Sequence, residues 1–243
     1  VPPINNLFGH IISHYNMHYR SISAIFQESY EASLQSGEVE WGVWASNFVY
    51  LCHFIQGTPL ESVGQLIDKF FGFVERAGSE SILHLMQFHR CLVLNLRGET
   101  ASADSLDAEG YDEKTLLEYL DRSQFEYGWL WYYLYRSYLY FQYGDYAKAL
   151  ELSRKAEEKK IFAPAFMKYV EQTFWHALIL SANYEAAVAA EQEKFLDSIQ
   201  SCVAKMEKWA ASCPENYLHK HLLLSAELAR IEGNSAIAER LDD

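Results

Sequence analysis

The sequence is poor in residues that interrupt helices and lacks the motifs that mark a chemistry. Only 5 prolines and 12 glycines are spread over 243 residues. No Asn-Gly or Asp-Gly pair sits between alternating apolar runs to signal a hairpin. No apolar run approaches the ~18 residues a spanning helix needs, and no signal peptide is present. Membrane insertion is therefore not expected, and a cytoplasmic setting is. The four cysteines (Cys52, Cys91, Cys202 and Cys213) are far apart, with no CxxC. They read as reduced thiols rather than a disulfide frame or zinc site. Basic residues are the scarcer charge, 20 against 33 acidic, for a net charge of −13. That balance argues against nucleic acid or an anionic membrane as the main partner. There is no GxSxG, no Gly-rich phosphate loop, no HExxH, and no His-x-Glu followed by CxxC. Carboxylate pairs are plentiful, as an acidic helical chain makes them by chance. No catalytic residue, metal or cofactor is expected.

What is present is a globular balance, 50% hydrophobic and 22% charged, arranged with helical periodicity. Over residues 11–34, Ile11, Ile12, Tyr15, Tyr19, Ile22, Ile25, Phe26, Ser29, Tyr30 and Ser33 recur at steps of three and four, with a break expected near Asn16. Gly37 supplies a stop. Residues 41–55 are almost wholly apolar or aromatic and predict a helix buried on most sides. Thr58-Pro59 predicts the next start, with Thr58 as cap and Pro59 in the first position. Residues 80–97 predict another helix, ended by Gly98. The fold class is all-α. Residues 99–113 break the rhythm and predict a long acidic loop, a solvated connector within one domain spanning 1–243. It lacks the alternating Asp/Asn spacing and following Glu of a calcium loop.

A worn repeat runs through these helices. Tyr138, then Gly144-Asp145-Tyr146-Ala147-Lys148-Ala149, then Ala156, has the spacing of a tetratricopeptide unit. Ala182-Asn183-Tyr184-Glu185-Ala186-Ala187 and Gly233-Asn234-Ser235-Ala236-Ile237-Ala238 repeat the turn, with fainter turns at Gly57 and Gly98. The turns recur at roughly 40–50 residues against a regular ~34, so helices are lengthened and loops inserted. A helix pair cannot hide its apolar face alone, so the expected architecture is an irregular tetratricopeptide-like α-solenoid of antiparallel helix pairs. Counting back from each turn gives the residues expected to face a groove. They are Trp44 and Asn47 in the first, Trp131, Tyr138 and Gln142 in the middle, and Lys220, Glu227 and Arg230 in the last.

The histidines, the aromatic cluster and one charged pair bear on chemistry. His10, His14 and His18 lie four apart and could share a helical face, but no carboxylate or Cys matches their spacing and a break at Asn16 abolishes that face. His84 and His89 point in different directions, and His176 beside Trp175 reads as a core histidine. Residues 125–146 hold twelve rings, from Phe125 to Tyr146, more than one helix stripe can bury. Some should line a groove, cover the long loop or meet another subunit. Glu227 and Arg230, spaced i, i+3, predict a surface pair.

Several stretches, in order along the chain, resemble the helical-repeat region of large multidomain signalling kinases, known mainly from bacteria with fungal relatives. They are Ile12-Ser13-His14-Tyr15 with His18, Ser36-Gly37-Glu38-Val39-Glu40-Trp41, Val93-Leu94-Asn95-Leu96 and Glu109-Gly110-Tyr111-Asp112-Glu113. Met206-Glu207-Lys208-Trp209-Ala210, Cys213-Pro214-Glu215-Asn216-Tyr217-Leu218-His219-Lys220 and Ala226-Glu227-Leu228-Ala229-Arg230 continue the series. In that family a serine/threonine kinase-like domain and an AAA/STAND-type ATPase precede the helical repeats, and a GAF domain and a histidine kinase follow. The resemblance implies a non-catalytic module that couples signals and binds proteins. Its partners would be other proteins, neighbouring domains of the same chain, or a second copy in a homodimer. The alternative is a small-molecule sensor with its ligand in an aromatic groove. The opening Val1-Pro2-Pro3 and the ending Leu241-Asp242-Asp243 suggest a piece excised from a longer chain.

Overall fold

A computed structural model describes residues 2–108 and 110–234. Among the described residues there are eleven α-helices and no strand beyond a single bridge between Ala108 and Tyr111. The all-α expectation is met. The chain divides into two compact units, Val1–Trp129 and Leu130–Asp243.

The first unit holds α1 (Pro2–Leu7), α2 (Tyr19–Ser36), α3 (Val39–Ile55), α4 (Leu60–Ala77), α5 (Glu80–Leu96) and α6 (Glu113–Ser123). A π turn over Phe8–Ile12 and a 3-10 turn over Ser13–Tyr15 follow α1. The helical pattern breaks at 16–18, as the sequence predicts, and His18 caps α2 by accepting the Arg20 N–H at its Nδ1, 3.0 Å away. Gly37 ends α2 in the left-handed conformation, φ +76°. Helix α3 packs on α2, α4 and α5, which explains its apolar sequence on nearly every side. The α2–α3 approach is close because Gly42 has no side chain: a Cβ there would fall on Ser33 Oγ. Phe26 and Phe48 meet across it at 5.0 Å, and Tyr30 sets its edge on Phe70 at 5.0 Å and Phe73 at 5.1 Å.

The start of α4 differs from expectation. Pro59 is the capping residue and Leu60 the first helical one, with no side-chain cap. Thr58 instead bonds His53 Nδ1 at 3.2 Å and Gln56 Nε2 at 3.1 Å, closing the preceding turn. The acidic loop is also less loose than its composition suggests. The Asn95 side-chain amide donates to Thr100 Oγ1 and to the carbonyls of Ser102, Ala103 and Ser105 at 2.8–3.2 Å. Leu106 is fully buried, Tyr111 is buried, and Asp112 caps α6 through the Lys114 and Thr115 N–H groups. Glu109, one of the carboxylates expected in this loop, lies outside the described residues.

Helix α7 (Glu126–Gln142) runs into the second unit, which contains α8 (Tyr146–Lys159), α9 (Met167–Asn183), α10 (Ala189–Ser212) and α11 (Pro214–Ile231). Gly144 turns at φ +80° and Asp145 caps α8 by accepting the Lys148 N–H. Ala149 and Ala156, the small residues the repeat places on this helix, are fully buried, and α8 packs on α9. The next turn is longer than the repeat predicts. Ala186 and Ala187 stay outside the helix and α10 begins only at Ala189, behind Val188. Ala187 packs beside a core of Leu180, Phe195 and Ile199. Helix α9 then contacts α10 and α11, and α10 contacts α11, the neighbour-on-neighbour order of stacked helix pairs. Of the third predicted turn, Gly233 adopts φ +77°, and Ser235 to Ala238 lie outside the described residues.

Candidate functional site

In the second unit, alternate helices α7, α9 and α11 converge on an open cavity of about 470 Å³. The end of α7 gives Phe141 and Gln142, and Tyr146 opens α8. Helix α9 contributes Phe174, Trp175, Leu178 and Ala182, and α11 contributes Leu223, Glu227 and Arg230. Spacings of four and three residues put each set on one helical face.

The aromatic wall is mutually supported. Trp175 meets Tyr138 at 4.6 Å, Phe174 at 5.0 Å and Phe141 at 5.9 Å, mostly edge to face, and Phe141 also meets Tyr146 at 5.6 Å. Burial pushes the Tyr138 hydroxyl up to about 12, so it stays protonated. One rim is charged. Arg230 donates to Glu227 at 2.9 Å, to Glu185 at 3.1 Å and to the Ser181 carbonyl at 3.3 Å. The Glu227–Arg230 pair is thus present, and two carboxylates face one guanidinium.

A charged layer is buried in the same unit. Lys220 pairs with Glu171, both buried, and its ammonium lies 5.2 Å from the Phe174 ring centroid. Lys168, fully buried, sits 3.2 Å from the Trp131 ring centroid and donates to Tyr135 Oη at 3.0 Å. Loss of water holds the Lys168 pKa well below the usual lysine range, with nearby Glu171 opposing.

These positions revise the groove expected from the repeat register. Gln142, Glu227 and Arg230 line the cavity. Tyr138 is half-buried and supports Trp175 from beneath. Trp131 faces inward because Lys168 packs on it, and Lys220 faces inward to reach Glu171. Asn47 is fully buried in the first unit, where it accepts the Tyr50 hydroxyl, and Trp44 is half-buried against Phe48 at 5.8 Å. The error comes from helix α3, buried on nearly all sides, which leaves Asn47 no open face. Sequence reasoning missed Phe174, Trp175, Leu178 and Leu223. Their signal was an apolar stripe at helical spacing, which looks the same for a core and a cavity.

The histidines diverge. His10 stacks on Phe48 at 4.0 Å and lies 3.2 Å from Tyr127 Oη, His14 is fully buried, and His18 is the α2 cap. His84 stacks on Tyr119 at 4.4 Å, while His89 is buried with its Nδ1 at the Leu85 carbonyl. No group of three or more metal-ligating side chains occurs among the described residues. None of the four cysteines is in a disulfide and all are buried, and burial raises Cys202 to about 11 and Cys91 to about 12, which suppresses thiolate chemistry. Among the described residues no helix is long and apolar enough to cross a membrane. The chain matches no protein-family model, no curated protein and no solved structure.

Proposed function

We propose that the chain is a non-catalytic interaction module that binds a partner peptide segment in the α7–α9–α11 cavity. The observation that carries this reading is a supported aromatic wall left open beside a rim with more carboxylate than cation. The occupant that fits is an extended segment with one aromatic or aliphatic anchor for the Trp175 wall and a nearby Lys or Arg for Glu227 and Glu185. The net charge of −13 favours the same sign of partner. The Gly144 turn and the buried Ala149 and Ala156 support a tetratricopeptide-like helix pair around this site. Placement of the module in a signalling kinase chain rests on the sequence resemblance alone.

Selection from a random peptide library tests the reading. Enriched peptides should pair an apolar anchor with a basic residue and lose binding to a Leu223→Glu protein, whose new carboxylate enters the cavity. Equal recovery on both proteins would count against the site. A second reading, a small-molecule sensor, is favoured by the cavity size, which lies within the range of ligand pockets. Native mass spectrometry of the purified protein separates the two: a stoichiometric added mass that a Leu223→Glu variant lacks supports the sensor.

A further inference from the structure

A second cavity in the same unit, of about 350 Å³, lies among α8, α9 and α10. It is lined by Arg154, His176, Leu180, Glu191, Lys194, Phe195 and Ser198. Its chemistry is opposite to that of the aromatic groove. A buried chain of hydrogen bonds fixes what His176 presents to it. Lys160 pairs with Glu157 at 2.7 Å, and Gln172 Nε2 donates to Glu157 Oε1 and to the Ser153 carbonyl, both at 3.2 Å. A longer contact of 3.4 Å reaches Ser153 Oγ. Because Glu157 and the carbonyl can only accept, Gln172 must turn its NH₂ toward them. Ser153 Oγ then has His176 Nδ1, 2.8 Å away, as the acceptor for its own proton. With Ser153 as the donor in that bond, the imidazole of His176 carries its proton on Nε2. Burial pushes its pKa down to about 4, so the ring is neutral at pH 7 and offers an N–H donor. Ser153 hydrogen-bonds the imidazole as a Ser–His nucleophile would, but it is fully buried, which closes its hydroxyl to a substrate.

The charged lining is two cations, Arg154 and Lys194, against one carboxylate, Glu191, an excess of positive charge in a chain that is strongly acidic overall. Arg154 lies over the Phe195 ring at 5.6 Å and gives one donor to Glu191 at 3.1 Å, leaving further guanidinium N–H groups. Lys194, one residue before Phe195, is exposed and forms no ion pair among the described residues. Lys160 and Lys205 add positive potential at His176, opposed by Glu157. Ser198 adds a hydroxyl. We propose that this cavity binds a small phosphate-type oxyanion, held by the His176 N–H, Arg154 and Lys194. Phosphate suits the donors better than a carboxylate, because its oxygens can meet three groups arriving from three helices. Leu180 and Phe195 give an apolar wall for whatever carries a phosphate ester.

The test is titration of the intact protein at pH 7 and constant ionic strength, read by the imidazole nitrogens of His176 in long-range ¹H–¹⁵N spectra. The probes are inorganic phosphate, phosphoserine and acetate. Saturable movement of the His176 Nε2 signal with phosphate or phosphoserine supports the site, and the tighter of the two identifies free or esterified phosphate. Lys194→Ala, a change on an exposed helix face, should weaken binding about tenfold, and Lys194→Glu should abolish it. No saturable shift up to tens of millimolar overturns the proposal. So does an equal response to acetate, or an unchanged response in the folded Lys194→Glu protein.

Discussion

The two units fill their interiors differently. The first buries rings and aliphatic side chains, and its buried polar side chains bond neutral partners, as at Asn47–Tyr50 and Asn6–Ser29, though Asn47 Nδ2 and Asn6 Oδ1 find none. None of its described Asp, Glu, Lys or Arg residues is buried. The second buries Arg136, Lys160, Lys168, Glu171 and Lys220. Charge taken from water is costly unless paired: Lys220 has Glu171, Lys160 has the part-buried Glu157, and burial lowers the Lys168 pKa. Aromatic faces answer part of that cost: Lys168 lies against Trp131 and Tyr135, Lys160 against Tyr169, and Lys220 against Phe174. The contrast separates a region built to hold shape from one that keeps polar groups beneath its cavities. It also accounts for the excess of rings in 125–146, since some of them cover buried cations rather than apolar neighbours.

The largest test of that contrast removes the buried Glu171 carboxylate. Glu171→Leu strands Lys220 and should cost about 3–5 kcal/mol in urea unfolding, while adding Lys220→Leu should restore most of it. If the double variant stays as unstable as the single one, the pair is not the source of the effect. Acid gives the next effect. The folded pKa of His176, about 4, lies below its unfolded value, so the unfolded chain binds the extra proton between the two. Stability should fall by up to about 3 kcal/mol as pH drops from roughly 6.5 toward 4. A His176→Gln protein should show a flatter profile over that window in the same unfolding assay.

The first unit should be sensitive to shape instead. Gly42→Ala places a methyl against Ser33 and should destabilise by about 1–3 kcal/mol with no added pH dependence. Thermal melts at pH 5 and 8 that separate by the same amount as wild type would agree; a new pH slope would not. The smallest effect belongs to Arg230→Gln. Its ion pairs are largely exposed, so stability should change by less than about 1 kcal/mol. Selected peptides, by contrast, should bind this variant more tightly through their basic residue, because Glu227 and Glu185 are released; calorimetry with one peptide and both proteins decides it.

Much of the fold was legible because its signals are local. The Gly37 stop, the break before Tyr19 and the span of α5 follow from periodicity and left-handed glycines, and the turn at Gly144 followed from the repeat. The turn after Asn183 was not legible, since the same alanine-rich letters serve a longer connection in which Ala187 joins the core instead of opening α10. The cavity was partly legible. Gln142, Glu227 and Arg230 sit where counting placed them, but Trp131 and Lys220 turned inward because of partners far away in sequence, Lys168 and Glu171. Nothing in a one-dimensional pattern distinguishes an aromatic that covers a buried amine from one that faces solvent. The Ser153–His176 bond was equally hidden, as it joins residues on different helices.

The amide of Asn95 has a consequence for how this protein can change over generations. Its bonds to the acidic loop end mainly on main-chain oxygens of residues 102, 103 and 105, with one side-chain acceptor at Thr100. Main-chain oxygens are the same whatever side chain the gene encodes. Substitutions along 101–104 can therefore accumulate with these acceptors in place, whereas a single change at Asn95 removes all four bonds together and leaves buried Leu106 and Tyr111 to hold the loop. Drift is cheaper on one side of this contact than on the other.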